Sequence, residues 1–232
     1  MTGLIILLGG CAVNVTAIQG TGAMVSRAIT VDDFNAIDIS GGYVVIYRQS
    51  QTSSLTIEMQ ENLFEHIDVE VRGDTLHIGS GIRSISTTRA NTPRIYIYAP
   101  YLGSASFSGA VDATDWDAIS ADSFSLVSSG AGNFGLALEV ESLDIRASGS
   151  ANIELSGNAS NASITVSGSS DINAGALQTR DAEIRISGSG DAIIAASDSL
   201  DVNVSGSGRV RYIGDPDITQ SVSGSGSVRR AD

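Results

Sequence analysis

The chain is poor in the residues on which most enzymes and nucleic-acid binders depend. Among 232 residues there is one cysteine, Cys11, so no internal disulfide forms. Histidine occurs twice, as His66 and His77, and without a cysteine cluster the two supply no zinc-ligand set. Basic residues number 13 against 26 acidic ones, a net charge of −13 that repels phosphate backbones and anionic lipid surfaces, so nucleic acid is not an expected partner. Aromatic residues make up 5% of the chain, too few for the broad core of a typical globular enzyme. The apolar run at the N terminus, within residues 1–11, is too short to span a bilayer.

What the chain has in quantity is glycine, 26 of them, and serine beside it. A Ser-Gly pair returns at Gly109, Gly130, Gly149, Gly168, Gly188, Gly206 and Gly224, at spacings of 21, 19, 19, 20, 18 and 18 residues. Residues two, four and six before each glycine are mostly apolar, as in Val166, Ile164 and Ala162 or Val204, Val202 and Leu200. Those four and six after it repeat the signal in Phe134 and Leu136, Ile153 and Leu155, Ile172 and Ala174. A period of two is that of strands, so each copy reads strand, Ser-Gly corner, strand, loop.

One copy cannot fold alone. Its four or five inward side chains give roughly 1.5–3 kcal/mol each on burial, whereas ordering about nineteen residues costs around 1–2 kcal/mol each in backbone entropy. Stacking coils at about 4.8 Å pairs the backbone along the axis and merges the apolar columns into one core. The predicted fold is therefore all-β, a parallel β-helix with coils of about 18–21 residues, about 30 Å long over seven corners. Glycine suits the corners because it accepts φ > 0.

Residues 1–11 form an apolar run ending in Leu8-Gly9-Gly10-Cys11. The tetrad resembles the lipobox of bacterial lipoproteins, which implies removal of the signal and a lipidated Cys11, although no Lys or Arg precedes the run. The alternative is a frayed apolar end with an idle thiol. Ala12 stands where many inner-membrane lipoproteins carry Asp, so the resemblance implies an outer-membrane or surface location. Residues 12–33, with Gly20 and Gly22 and no sustained periodicity, read as a flexible tether.

From Phe34 the chain reads as short strands, with turns expected at Gly41-Gly42 and Gly73-Asp74 and a strand closed by Pro100. This segment, 34–102, is expected to form first coils or a cap for the repeat body, 103–232. Its Phe-x-x-Ile-x-Ile-x-Gly-Gly-x-Val-x-Ile at 34–46 and Val-Arg-Gly-Asp-x-Leu-x-Ile at 71–78, followed by serial Ser-Gly corners, resemble the head GIN domain of bacterial auto-transporter adhesins. The resemblance covers 34–228. It implies a right-handed β-helix exported to the cell envelope, often lipid-anchored, with an adhesive role and no catalytic residues. The expectation is a noncatalytic surface adhesin or interaction module, binding a glycan or protein on another surface, anchored to a membrane by lipid, with self-association open. No cofactor or metal is expected. The rival readings are a carbohydrate-active β-helix enzyme, such as a polysaccharide lyase or hydrolase, and a structural or signalling envelope component.

Chemistry-bearing candidates are few. Gly188-Ser-Gly190 and Gly206-Ser-Gly208 lack the helix and the Gly-Lys-Ser/Thr of phosphate loops, so they read as corners. His77, between Leu76 and Ile78, alternates outward, and His66 follows Glu65 near a turn, which places neither beside a repeat serine. The position three after each corner glycine reads Asp112, Asn133, Asn152, Asp171, Asp191, Arg209 and Ser227. It is expected to be a side-chain ladder, with Arg209 neutralising Asp191 and with a metal or carboxylate site as the rival. Trp116, between Asp115 and Asp117, is either a sugar-stacking loop tip or a cover for the core edge. Tyr96 and Tyr98 are expected on an exposed face as a possible ligand surface. Gln220 replaces the apolar residue of the inward column in the last copy, marking a capping coil, and Arg229 and Arg230 either discourage end-to-end pairing or form a solvated tail.

Overall fold

The structure, a computed structural model, describes residues 17–80 and 85–231. The strands are β1 (Ile18–Gln19), β2 (Met24–Ile29), β3 (Ala36–Gln49), β4 (Ser54–Gln60), β5 (Ile67–Arg72), β6 (Thr75–Ser80), β7 (Ile85–Ser86), β8 (Arg94–Ala99), β9 (Ser104–Ala113), β10 (Ile119–Gly168), β11 (Asp171–Gly188), β12 (Asp191–Gly206), β13 (Arg209–Ile213), β14 (Asp217–Gly224) and β15 (Ser227–Arg230). From β9 onward they wind as a parallel β-helix. Extended backbone runs on through the corners, so β10 alone covers 50 residues and wraps more than two coils.

Each coil has three sides. β11 lies on β12 in three stretches: Ile172–Ala174 on Ala192–Ile194, Gln178–Thr179 on Ala195–Ala196, and Asp181–Gly188 on Ser199–Gly206. Between the first two, Gly175, Ala176 and Leu177 have no counterpart in the next coil, and this bulge lets coils of different length share one register. We call the stretch before the corner glycine the first side, the stretch after it the second, and the remaining stretch the third. The first-side inward column of Ile145, Ile164, Ile184 and Val202 is fully buried, as are Ile153, Ile172, Ala192 and Val210 on the second side.

The corner glycines stack directly. A Cβ on Gly149 would stand 2.1 Å from the carbonyl oxygen of Gly130, and one on Gly130 would stand 2.2 Å from that of Gly109. Gly109, Gly149, Gly168, Gly188, Gly206 and Gly224 also hold positive φ, from 112° to 136°. Gly130 does not, so its glycine answers to space alone.

The column begins earlier than the Ser-Gly repeats. Gly41-Gly42, expected as a hairpin turn, lies inside β3, which pairs in parallel with β9 from Ala36 on Ser104 to Val44 on Asp112 and sets Gly41 on Gly109. Tyr43–Tyr47 continue onto the next side of the coil instead of folding back on Phe34–Ile39, because Gly41, at φ 139°, makes a corner. β8 pairs in parallel with the second half of β3, then β4 and β2 follow antiparallel. The β5–β6 hairpin pairs through β6 with the first half of β3. These additions close the N-terminal end over buried Leu55, Ile57, Met59, Leu63, Leu76, Ile78, Ile95 and Ile97.

The tether expected over residues 12–33 is overturned for residues 24–29. β2 pairs with β4 from Met24 on Gln60 to Ile29 on Leu55, and Arg27 stands 4.2 Å over the ring of Phe64. A sheet edge over a buried core needs covering, and a six-residue edge strand with one wet face leaves little periodic trace in the sequence. Residues 12–16 and the whole of 1–11 lie outside the described residues.

At the other end the last coil has only its first two sides, β14 on β12 and β15 on β13. Ile218 and Val222 occupy inward columns that are buried in every coil from Phe124 to Val204, yet they are 37% and 41% exposed. Gln220, between them, is exposed too, so the expected capping coil leaves its apolar residues uncovered.

Candidate functional site

The first side turns a flat, regular face outward. Immediately before each corner stand Ser40, Ser108, Ser129, Ser148, Ser167, Ser187, Ser205 and Ser223, all exposed. Their alternation with the buried columns fixes them there, and the strand spacing fixes their separation along the axis at about 4.8 Å. Farther from the corner, the outward positions five and seven before each glycine line a groove of about 730 Å³. Ser123, Ser125, Ser142, Asp144, Asn161, Ser163, Asp181, Glu183, Ser199 and Asp201 form its walls, so it crosses five coils.

Two of its carboxylates are held by arginines on their own strands: Arg146 pairs with Asp144 at 2.7 Å, and Arg185 pairs with Glu183. Between coils, Ser199 donates to Asp181, and within a strand Asn203 donates to Asp201 at 3.1 Å. The groove is thus a preset lattice of hydroxyl and carboxylate groups. These residues are not among the sequence candidates, because their acids are interspersed with serines instead of standing in a column of Asp and Asn as Asp171 and Asp191 do, although the same alternation that buries Ile164 and Ile184 points Ser163 and Glu183 outward.

The column three after the corner behaves as a ladder. Asn152 donates to Asn133 at 3.1 Å, the Asp191 backbone N–H donates to Asp171 at 3.2 Å, and the Arg209 backbone N–H donates to Asp191 at 3.1 Å. Arg209 Nε adds bonds of 3.1 Å to both oxygens of Asp191. These hydrogen bonds hold the Asp191 carboxyl below the usual carboxylate range, against a smaller opposing effect of desolvation. Among the described residues no group of three His, Cys, Asp or Glu side chains is arranged for a metal ion.

The aromatic candidates lie elsewhere and apart from the groove. Trp116 is no loop tip: its Nε1 donates to the Val45 carbonyl at 2.9 Å, and its ring packs 5.5 Å from that of Tyr47 and 6.1 Å from that of Phe107. Its half-buried ring covers the edge of the core because Arg48 draws Asp115 and Asp117 inward on either side. Tyr96 and Tyr98, expected to be exposed, are half-buried on β8. The Tyr96 hydroxyl donates to Glu58 at 3.3 Å, and burial, followed by the Glu58 charge, pushes its pKa up. Antiparallel β4 lies alongside β8 and covers part of both rings. His77 Nδ1 stands 3.2 Å from Asp38 across the β3–β6 pairing, and His66 stands 3.4 Å from Glu65. Cys11 lies outside the described residues.

A stacked-glycine solenoid starting at Gly41, closed by antiparallel strands at one end, is the setting in which sequence comparison becomes decisive. The family described as "Putative auto-transporter adhesin, head GIN domain" matches residues 33–216. The chain belongs to this family. No curated protein matches it. Among solved structures, this GIN domain is similar to a protein described as a "putative adhesin" from Bacteroides fragilis, at 27% identity and TM-score 0.84, covering 93% of this chain and all of that one. It is also similar to a "putative lipid binding protein" from Parabacteroides distasonis, at 26% identity and TM-score 0.73, covering 94% of this chain and all of that one. A "putative adhesin" from Parabacteroides merdae, at 23% identity and TM-score 0.73, covers 93% of this chain and 99% of that one and shares the fold.

Proposed function

We propose that this GIN domain is a noncatalytic adhesive module of the cell envelope that holds an extended polar polymer, a neutral or cationic glycan, along the first-side groove. The observation that carries the reading is the groove itself. It runs across five coils, and outward serine, asparagine and carboxylate side chains line it together with Gly103 and the core residues Phe124, Leu143, Ala162 and Ala182. A rigid lattice of acceptors and donors suits a polymer whose own hydroxyls repeat along its length, since little side-chain freedom remains to be lost on binding. The acidic lining favours neutral or cationic chains over anionic ones. The family description and the names of the Bacteroides fragilis and Parabacteroides merdae proteins agree with adhesion, whereas the Parabacteroides distasonis protein is named for lipid binding.

The anchor is part of the same reading. The Leu8-Gly9-Gly10-Cys11 tetrad supports lipid attachment at Cys11, and Ala12 after it supports an outer-membrane or surface site. Wild-type protein should then take up palmitate label in vivo and Cys11→Ser should not.

The binding test is a screen of the full chain on glycan and matrix-protein arrays, with polysaccharide cleavage assayed in parallel. Binding to a glycan should be lost in the Asn161→Arg, Ser163→Arg double variant, whose bulk and charge fill the groove from exposed or half-buried positions. Cleavage of the bound polymer, or binding that survives the double variant, overturns the assignment.

A further inference from the structure

We propose that the bare C-terminal coil is a self-recognition surface through which two copies of this chain join end to end, β14 against β14, about a twofold axis at Gln220. The first observation is the location of exposed apolar residues. Ile213, Ile218 and Val222 are 42%, 37% and 41% exposed, all within the last stretch of the solenoid, where the outer edge of β14 also presents eight residues of backbone. An exposed strand edge beside uncovered apolar side chains is a template for another strand.

The second observation selects the partner. In β14 the inward positions read Ile218, Gln220, Val222. Antiparallel pairing with an identical strand centred on Gln220 sets Ile218 opposite Val222 of the second copy and Val222 opposite its Ile218. The two Gln220 amides, each both donor and acceptor, then face each other. The polar interruption of an otherwise aliphatic column thereby acquires a purpose: a buried amide pair fixes one register and penalises slippage by one step.

Charge agrees with this geometry. A twofold axis through the middle of the first side exchanges the second and third sides, so the end of β15 with Arg229 and Arg230 comes over the side on which the other copy carries Asp215. The Asp215 side chain is 93% exposed although Arg230 of its own chain lies 3.3 Å away, which leaves its carboxylate accessible to a second cation. The opposite end of the molecule carries antiparallel strands, β4 and β2, and the β5–β6 hairpin in place of a coil, so its edges do not repeat the inward Ile218, Gln220, Val222 pattern that β14 offers to its own copy. An isologous contact stops at two copies.

The test is sedimentation velocity of the full chain under reducing conditions over a wide concentration range. The expected result is a monomer–dimer equilibrium with no larger species. Gln220→Lys places like charges opposite each other at the axis, as does Gln220→Glu, and each should weaken the dimer at least about tenfold. Because Gln220 is exposed in the single chain, both variants should keep the wild-type melting temperature at concentrations where the wild type is itself monomeric, which circular dichroism checks. Mixing them should restore the dimer as a Lys–Glu heterodimer. A wild type that stays monomeric, a dimer indifferent to both variants, or a mixture that stays monomeric overturns the proposal, and so does growth beyond two.

Discussion

The two ends of this solenoid face the same physical problem and meet it with different amounts of sequence. At the N-terminal end about fifty residues leave the coil after Gln49 and return at Ser104, roofing the core with strands and a short 3-10 helix, Glu61–His66, that carry Leu55, Ile57, Met59 and Leu63 at 0–1% exposure. At the C-terminal end the chain makes one more incomplete coil, exchanges an aliphatic residue for Gln220 and lays Arg230 toward Asp215. Closing an end fully takes a nonrepeating segment with its own core, whereas ending on a coil leaves apolar residues and a strand edge available. The closed end belongs to the folding body, and the open one leaves the edge of β14 beside exposed Ile218 and Val222.

The largest effect expected contrasts the middle of one column with its open end. Ile164→Asp buries a carboxylate between Ile145 and Ile184 and should cost several kcal/mol, whereas Gln220→Asp, at the exposed end of the same column, should cost about 0.5 kcal/mol or less. Denaturant titration of both variants measures the difference, and equal losses would contradict the column as described. Close behind comes Gly149→Val, whose Cβ has no room beneath the Gly130 carbonyl and whose φ of 132° strains any side chain. It should prevent cooperative folding of the coils around it, read as a lost or broadened thermal transition.

The ends should also differ in which extreme of pH they tolerate. Tyr43, in the first coil, is 2% exposed, and burial pushes its hydroxyl up to about 12. The native state therefore keeps a proton that the unfolded chain releases near pH 10, so stability falls as pH rises from about 10 toward 12, by about 2 kcal/mol. Tyr43→Phe should flatten that fall. Near the other end the depressed pKa of Asp191 has the opposite sign. Its contribution is present above about pH 4 and is lost as pH drops through the lowered native value. Arg209→Ala should lower the melting temperature slightly at pH 7, as exposed pairs do, and the gap from wild type should close in acid. At the bottom of the scale, millimolar calcium should leave wild-type melting unchanged. A rise that disappears in Asp171→Asn would turn the Asn–Asp ladder into a metal site.

Legibility in the sequence follows the same division. The stacked corners and inward columns were readable because each coil repeats one environment, so Ile145, Ile164, Ile184 and Val202 report on it independently. The first corner was not, because 68 residues separate Gly41 from Gly109 and a Gly-Gly pair between strands also describes a hairpin. β2 escaped because its pairing with β4 is set by tertiary context rather than by its own alternation. Trp116 sits between two aspartates, a local pattern typical of a wet loop. Arg48, nearly seventy positions away, turns that loop onto the core by donating hydrogen bonds to Asp115, a contact that local sequence does not announce. The first-side groove is present in the same pattern but gives a fainter signal, because its acids are interspersed with serines at outward positions, whereas Asp171 and Asp191 are direct neighbours in a column of Asp and Asn.

The glycine column also determines how such a molecule changes size. Each corner is built against the carbonyl of the corner below it, so the central coils share that corner contact and differ in their third sides. Duplicating or deleting one in the gene moves every later residue by a single step of the stack and leaves both ends as they were. Reach into the surroundings is then inherited in whole increments of about 4.8 Å, and a lineage adjusts it by counting rather than by redesign.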